Sequence, residues 1–412
     1  MTFGELLVYT VAYFGLFTSI FFILTLLENR KELQSRKARQ LGAVTIIVPA
    51  YNEEASIAQT LKSLLRLKYP KGKLKIIVID DGSTDSTYSI AKRFESSQCA
   101  VYRKKNGGKA SALNFGLRRC ATEFVGALDA DSFVDPDALL NIMGFFEASP
   151  KVMAVTPSLK VYTPKTMLQK VQRIEYLIGV FLRKIFALLG SIHVTPGPFT
   201  IYRKTFFDMH GNYDEKNLTE DIEVALRIQK HGYYIENALH ANVYTITPAS
   251  FWPLYRQRMR WYIGFFENVW NYRELFSGKY GNLGLFILPA SFFSVFLVMA
   301  SLLYFTYKAI DSLVRLFINY SSINFDILTI MKFNFDAYFI NANSLMLLSV
   351  LTMFVGILIV YFAKYVAMEK ADIKGNYVLY IIVYWMLFGF WWIAALFYKA
   401  TGRKIRWGAK EL

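Results

Sequence analysis

Several short polar clusters in this chain carry side chains that could bind a phosphorylated molecule and move a proton. Asp129-Ala130-Asp131 follows the apolar run Phe124–Leu128. Alternate residues of an extended segment share a face, so its two carboxylates point the same way. Two hard oxygen ligands suit Mg2+ or Mn2+ bridging a diphosphate. Lys109 follows Gly107 and Gly108. There it can approach phosphate oxygens, with a helix N-terminus adding a favourable dipole. Asp80 or Asp81, after a second apolar run, could accept hydrogen bonds from a base or a ribose.

Two further clusters admit a plain and a chemical reading. Thr219-Glu220-Asp221 opens a helical pattern that ends at His231-Gly232. As plain structure, Thr219 is the N-cap and the two acids are dipole partners. As chemistry, Asp221 is a general base that takes the proton of an acceptor hydroxyl. Gln257-Arg258-Met259-Arg260-Trp261 lies in the aromatic and basic stretch Phe251–Tyr272. As plain structure it is an amphipathic helix at a membrane interface. As chemistry, the Trp261 indole offers a face to a sugar ring and Arg260 pairs with a diphosphate.

The elements that must position these residues alternate. Val44–Val48, Lys75–Ile79, Ala100–Tyr102, Phe124–Leu128 and Val152–Thr156 read as buried strands. Helical spacing falls between them, over Ser56 to Lys68 with Ser56 as N-cap, Thr84 to about Phe94, and from Lys109 through Leu117. Such alternation predicts an α/β, doubly wound, Rossmann-like sheet with its ligand crevice at the carboxyl ends of the strands. Tyr51-Asn52-Glu53, Asp80-Asp81, Lys109 and Asp129/Asp131 all fall just after strands. Solvated turns explain any one of these clusters but not the set. The glycine fingerprints of dinucleotide and P-loop sites do not occur.

Leu6–Leu27 is 22 residues without a charge, enough to span ~30 Å of hydrocarbon as a helix. It lacks the basic leader of a signal peptide. Five Lys/Arg follow it within residues 28–39 and none precede it. The positive-inside rule therefore puts the N-terminus outside and Arg30 onward in the cytoplasm. Gly281–Tyr307, Ala337–Ala363 and Asn376–Tyr398 are three more uncharged runs. The expected organisation is a membrane helix over 1–27, a cytoplasmic domain over 28–245, interfacial helices over 246–280 and a membrane region over 281–412. Four crossings would place the basic tail, Lys399 to Lys410, outside. A re-entrant run, an extra crossing within 309–336, or an exception to the rule would each resolve that conflict.

Charged residues make up 19% of the chain, against about 25% in a soluble protein, so a wholly soluble protein is not expected. The net charge of +16 tracks the membrane boundaries. That argues for anionic membrane lipid as a partner and against nucleic acid. Cys99 and Cys120 offer no disulfide framework, and the four histidines show no zinc spacing, His240 alone being weighed as a metal ligand.

Pro49-Ala50-Tyr51-Asn52-Glu53-Glu54, Asp80-Asp81-Gly82-Ser83, Asp129-Ala130-Asp131, Thr219-Glu220-Asp221 and the QxxRW of Gln257–Trp261 stand in order along the chain. In this it resembles membrane-embedded family 2 glycosyltransferases, which include cellulose, hyaluronan and poly-N-acetylglucosamine synthases. The resemblance covers about residues 1–280 by motif. It implies a GT-A fold, a nucleotide-sugar donor (usually a UDP-sugar), Mg2+ or Mn2+, and inversion by direct displacement. It implies that Ala50, Tyr51, Glu53 and Asp81 hold the nucleotide, with Lys109 near its phosphates. Asp129 and Asp131 would bind diphosphate and metal, and Asp221 would be the base. Glu220, Gln257, Arg260 and Trp261 would line the acceptor and diphosphate site. Gly197 and Pro198, within Thr195–Phe199, would frame the acceptor sugar.

Size and span layout look most like the poly-β-1,6-N-acetylglucosamine synthases. The expected activity is therefore extension of a β-glycan at the cytoplasmic membrane face, with the growing polysaccharide as acceptor. The alternative is a non-processive enzyme that glycosylates ceramide, diacylglycerol or a polyprenyl phosphate. A catalytically dead scaffold is opposed by the intact acids. Four spans are fewer than cellulose synthase uses to line its channel, which leaves room for accessory export subunits.

Overall fold

The computed structural model describes residues 2–36, 38–322, 344–371 and 374–402. The chain enters through helix α1 (Phe3–Glu28), then β1 (Val44–Ala50), α2 (Ile57–Leu65), β2 (Leu74–Asp80), α3 (Thr87–Lys92) and β3 (Cys99–Arg103). There follow α4 (Lys109–Leu117), β4 (Phe124–Ala127), β5 (Ser132–Val134), α5 (Ala138–Ala148) and β6 (Val152–Val161). Next come α6 (Met167–Leu188), β7 (Thr200–Arg203), α7 (Lys204–His210), α8 (Glu220–Lys230), β8 (Tyr234–Thr245) and α9 (Phe251–Asn271). The described C-terminal helices are α10 (Leu288–Ser322), α11 (Ser344–Val366), α12 (Lys374–Leu379) and α13 (Trp385–Ala400).

β1 is apolar without alternation because both of its faces are covered. Ile46 and Val48 enter one core with Ile57 and Leu61 of α2 and Leu139 and Ile142 of α5. Ile47 points the other way, into a core with Leu113 of α4 and Val224 of α8. The eight strands form one sheet in the order β3-β2-β1-β4-β7-β6-β8-β5. Its first four strands are parallel, as alternation predicts. Beyond β4 the sheet is mixed, because β7 runs antiparallel to both β4 and β6, and β5 antiparallel to β8. Chain following β6 leaves the sheet through α6 and returns along residues 189–199, which reverses the direction of β7.

Helix α6 joins this sheet to the apolar helices. A capping box of Thr166 and Gln169 starts it. Its Ile174, Leu177, Phe181 and Ile185 pack with Leu26 of α1 and with Val360 and Ala363 of α11. Helix α9 makes a second junction, where Leu254, Met259 and Ile263 pack with Trp391 and Ala395 of α13.

Among the described residues, three helices are long and apolar enough to cross a membrane: Phe3–Glu28, Leu283–Ser321 and Ser344–Val366. The second continues past the expected Tyr307 boundary. At 39 residues it measures roughly 58 Å, about twice the hydrocarbon thickness. Its extension carries an i,i+4 ion pair between Arg315 and Asp311. The expected Asn376–Tyr398 run coincides with helical residues 374–400, interrupted by a π-turn at Tyr380–Tyr384 that leaves a regular helix of 16 residues. The second half of the 309–336 loop, the start of the Ala337–Ala363 run and the tail from Arg403 lie outside the described residues.

Gly126 in β4 pairs with Ile46 of β1 and Ile201 of β7, and a Cβ there would overlap the Ile201 side chain and crowd that of Ile46. Gly126→Val is expected to destabilise the domain by ~1–3 kcal/mol through overpacking. Thermal unfolding in detergent measures this, and an unchanged midpoint would show that the sheet absorbs the methyls.

Candidate active site

The polar clusters meet at the carboxyl ends of β1, β2 and β4. Ala50 closes β1 in register with Asp80 at the end of β2. The chain then turns through Asn52 in the left-handed region (φ 55°), which the short amide side chain tolerates. Asn52 Oδ1 accepts the Thr84 amide at 2.9 Å, and the Asn52 amide donates to Ser83 Oγ at 3.0 Å. The Glu53 amide donates to Thr87 Oγ1 at 2.7 Å. These bonds tie the loop after β1 to the loop after β2. Ser56 does not cap α2 with its side chain; its hydroxyl instead donates to Glu53 Oε2 at 2.6 Å.

Lys109 is the hub. It opens α4 behind Gly108, whose φ of 88° suits glycine. Its Nζ lies 2.7 Å from Asp129 Oδ1 and 3.1 Å from Glu220 Oε1, joining the end of β4 to the start of α8. Burial works against the ammonium, but Asp129, Glu220 and Asp221 outweigh it and hold its pKa above the ordinary lysine value. Gly197 is what permits this approach, since a Cβ there would sit 2.7 Å from Nζ and 3.4 Å from Asp129 Oδ2. The loop carrying Gly197 and Pro198 is pinned on both sides. The Phe199 amide donates to the Ala127 carbonyl, and Thr195 Oγ1 donates to the Asp221 carbonyl at 2.7 Å.

Helix α8 presents both acids at its first turn. Among the described residues the Asp221 carboxylate accepts one hydrogen bond, from the Ile222 amide at 3.0 Å. Burial and the neighbouring Glu220 push its pKa up to about 6, against the pull of Lys109 and Arg260. Thr219 holds the N-cap position, but its side chain makes no cap bond. Asn268 of α9 donates instead to Thr219 Oγ1 at 2.9 Å and to the Asn217 carboxamide at 3.0 Å. Gly264, one turn earlier in α9, faces the Thr219 side chain, where any Cβ would overlap it. The helix bearing Gln257, Arg260 and Trp261 thus seats the end of α8, and Arg260 lies within electrostatic reach of Asp221.

Asp81 and His240 are placed apart from the acidic cluster. Asp81 is 1% exposed, and its carboxylate is filled by Lys104 Nζ at 2.6 Å and the Gly107 and Gly108 amides at 3.1 and 2.8 Å. It shapes the glycine loop that precedes Lys109. His240 Nε2 lies 3.1 Å from the Leu33 carbonyl, behind the sheet.

Asp131 tests whether the pocket suits a divalent cation. Burial, with Asp129 and Glu53 beside it, pushes its pKa up to about 7, and Ser132 Oγ is its hydrogen-bond donor. Glu53 is likewise pushed up by burial, with Asp129 and Asp85 adding to it. A half-buried set of carboxylates that outnumbers its one neighbouring ammonium, Lys109, fits a hard cation such as Mg2+ or Mn2+. No group of three or more His, Cys, Asp or Glu side chains poised for a metal occurs among the described residues. Asp129 and Asp131 would therefore share the ion with substrate oxygens and water.

Residues 45–211 match the family described as Glycosyl transferase family 2. Over 374 residues the chain is 30% identical to a poly-beta-1,6-N-acetyl-D-glucosamine synthase of Staphylococcus epidermidis, covering 89% of this chain and 86% of that protein. The chain belongs to glycosyltransferase family 2. A Staphylococcus aureus synthase of the same name is 34% identical over 242 residues, 58% of either chain. Among solved structures, a mannosyltransferase from Pyrobaculum calidifontis, in complex with GDP-Man and Mn2+, superposes with a TM-score of 0.60. It shares 20% identity and covers 96% of this chain and all of its own. The mixed sheet of this glycosyltransferase is accordingly GT-A-like.

Lys104, Gly264, Asn268 and Tyr202, whose hydroxyl donates to Thr195 Oγ1 at 3.0 Å, support the site without belonging to any motif. Gly264 alone carried a signal, because a glycine inside a 21-residue helix costs ~1 kcal/mol relative to alanine and implies close approach. Lys109→Met should leave buried carboxylates unpaired and destabilise this glycosyltransferase by roughly 3 kcal/mol or more. A melting midpoint equal to wild type in detergent would contradict the hub role.

Proposed function

We propose that this enzyme extends a β-1,6-linked N-acetylglucosamine polymer from UDP-N-acetylglucosamine at the cytoplasmic face of a membrane, with inversion at the anomeric carbon. The observation that carries the reading is the division of labour at the start of α8. Glu220 is held by Lys109, while Asp221 beside it keeps a raised pKa and only a backbone donor. Such a carboxylate can take a proton near neutral pH. The name shared by the relatives supports the sugar and the linkage.

On this reading Asp221 accepts the proton of the acceptor hydroxyl as its oxygen bonds to the anomeric carbon. The bond from that carbon to the diphosphate breaks, and UDP leaves with the electron pair. Lys109 and Arg260 hold positive charge beside the site where the diphosphate accumulates charge. Asp129 and Asp131 would hold the divalent cation, which supplies further charge neutralisation to the diphosphate when bound. Tyr51, Glu53 and the loop shaped by Asp81 cradle the nucleotide. Gly197, Pro198, Gln257 and Trp261 frame the acceptor sugar. Three long apolar helices support anchoring in a membrane, with the sheet on the side of the basic segment after α1.

Purified protein with Mg2+ or Mn2+ should release UDP from UDP-N-acetylglucosamine and yield a polymer. Release that needs an added lipid and gives one sugar per lipid would overturn processivity. Asp221→Asn should lower turnover at least 10³-fold while leaving UDP-sugar affinity within about twofold. Near-normal turnover would sink the base assignment. Because Asp221 must be ionised and its pKa lies at about 6, activity should fall about tenfold per pH unit below that point and level off above it. A flat acid limb down to pH 4.5 would exclude it as the base.

A further inference from the structure

Arg258 stands between Gln257 and the Arg260–Trp261 pair, yet it takes no part in the transfer just described. It is 1% exposed, an extreme burial for an arginine. Its Nη2 donates to Glu175 Oε2 of α6 at 2.7 Å. The centre of its guanidinium lies 4.2 Å from the centroid of the Trp261 ring, one helical turn ahead. Nε and Nη1 have no hydrogen-bond partner among the described residues. One carboxylate and one indole hold this side chain, with Tyr384, Tyr262 and Tyr176 around it.

Glu175 is a fixed post. Gln169 Nε2 and Gln172 Nε2, on the same helix, each donate at 2.8 Å to the carbonyls of Thr247 and Pro248 in the segment leading to α9. Arg173 is 2.9 Å from Glu369, just beyond α11. Helix α6 is thus tied to the approach to α9 and to a long apolar helix. Glu175 carries that reference point to Arg258, and Arg258 carries it to the indole.

We propose that Glu175 and Arg258 are a positioning pair that sets the plane of Trp261, and with it the acceptor sugar stacked there, relative to Asp221. The inference rests on Trp261 being the acceptor face. A cation against an indole holds ring orientation as well as distance. A buried ion pair offers little net stability over apolar residues of similar volume, so stability alone does not account for one here. A misplacement of about 1 Å at a reacting group can cost on the order of 10²-fold in rate. The pair acts through Trp261 and not on the donor, so its loss should appear in kcat and not in donor KM.

The test uses the full-length protein in detergent, labelled with 5-fluorotryptophan, with the Trp261 resonance assigned by its loss in Trp261→Phe. Glu175→Gln should lower kcat roughly 10- to 100-fold, keep the KM for UDP-N-acetylglucosamine within about twofold, and shift or broaden the Trp261 fluorine resonance alone among the seven tryptophans. Glu175→Gln also strands a buried guanidinium and can fail to fold. The double variant Glu175→Gln/Arg258→Met removes both charges and should show the same three changes. Wild-type kcat with an unmoved Trp261 resonance in either variant overturns the proposal. So does a loss of kcat accompanied by shifts in every tryptophan, which marks a merely structural pair. If the unmodified enzyme transfers no sugar from this donor, the donor assignment fails, and the Trp261 resonance alone decides the positioning role.

Discussion

A single ammonium holds this site together. Lys109 is inserted among Asp129, Glu220 and Asp221, acids brought in by two separate elements. Without it, carboxylates in a pocket shielded from water would repel one another with little screening. The surrounding structure reads as a set of conditions for that contact. Gly108 lets α4 begin where it does, and Gly197 leaves the space that a methyl would fill. Asp81, bound to the Gly107 and Gly108 amides, holds the loop that delivers the lysine.

The second constraint comes from the apolar helices. The base of α8 is set by Asn268 and Gly264 of α9, and α9 is in turn seated on Trp391 and Ala395 of α13. Trp391 is fully buried, with its ring 5.5 Å from that of Tyr255. The Lys399–Glu267 pair across the same junction is half-exposed and contributes ~0–1 kcal/mol. Apolar packing therefore does most of the work of joining the two parts. Helix α9 and the apolar α13 share one packed seam, so the geometry at Asp221 depends on how α13 sits.

Much of this was legible in the sequence because two patterns are hard to mistake. Unbroken apolar runs marked β1, β2 and β4, since strands covered on both faces have no polar side to show. Acids clustered after those runs marked the crevice, and the structure does bring Asp129, Lys109, Glu220 and Asp221 together. What stayed hidden depends on tertiary choice. Nothing local distinguishes the antiparallel β7 from a parallel strand. Ser56 precedes a helix as a cap should, yet a carboxylate three residues back competes for its hydroxyl. Composition finds where charge stops but not where a helix stops, so the end of Leu283–Ser321 was missed by more than a dozen residues.

Glu220 and Asp221 illustrate why two adjacent acids can carry unlike duties. Both lie in the first turn of α8, where the helix dipole favours negative charge. Their side chains leave the helix about 100° apart, so they meet different surroundings. Glu220 reaches Lys109 and is neutralised there. The Asp221 carboxylate has only the Ile222 amide as a donor among the described residues, and burial beside a second acid lifts it towards neutrality. On the proposed reading this asymmetry is the functional point. An acid starved of donors gains by accepting a proton. Arg260 limits how far that starvation goes, since its charge pulls Asp221 back towards the ionised form that a base must start from. Rate at neutral pH then depends on balance among Lys109, Arg260 and Glu220, which explains why the motif helix α9 and the lysine of α4 must converge on the same turn.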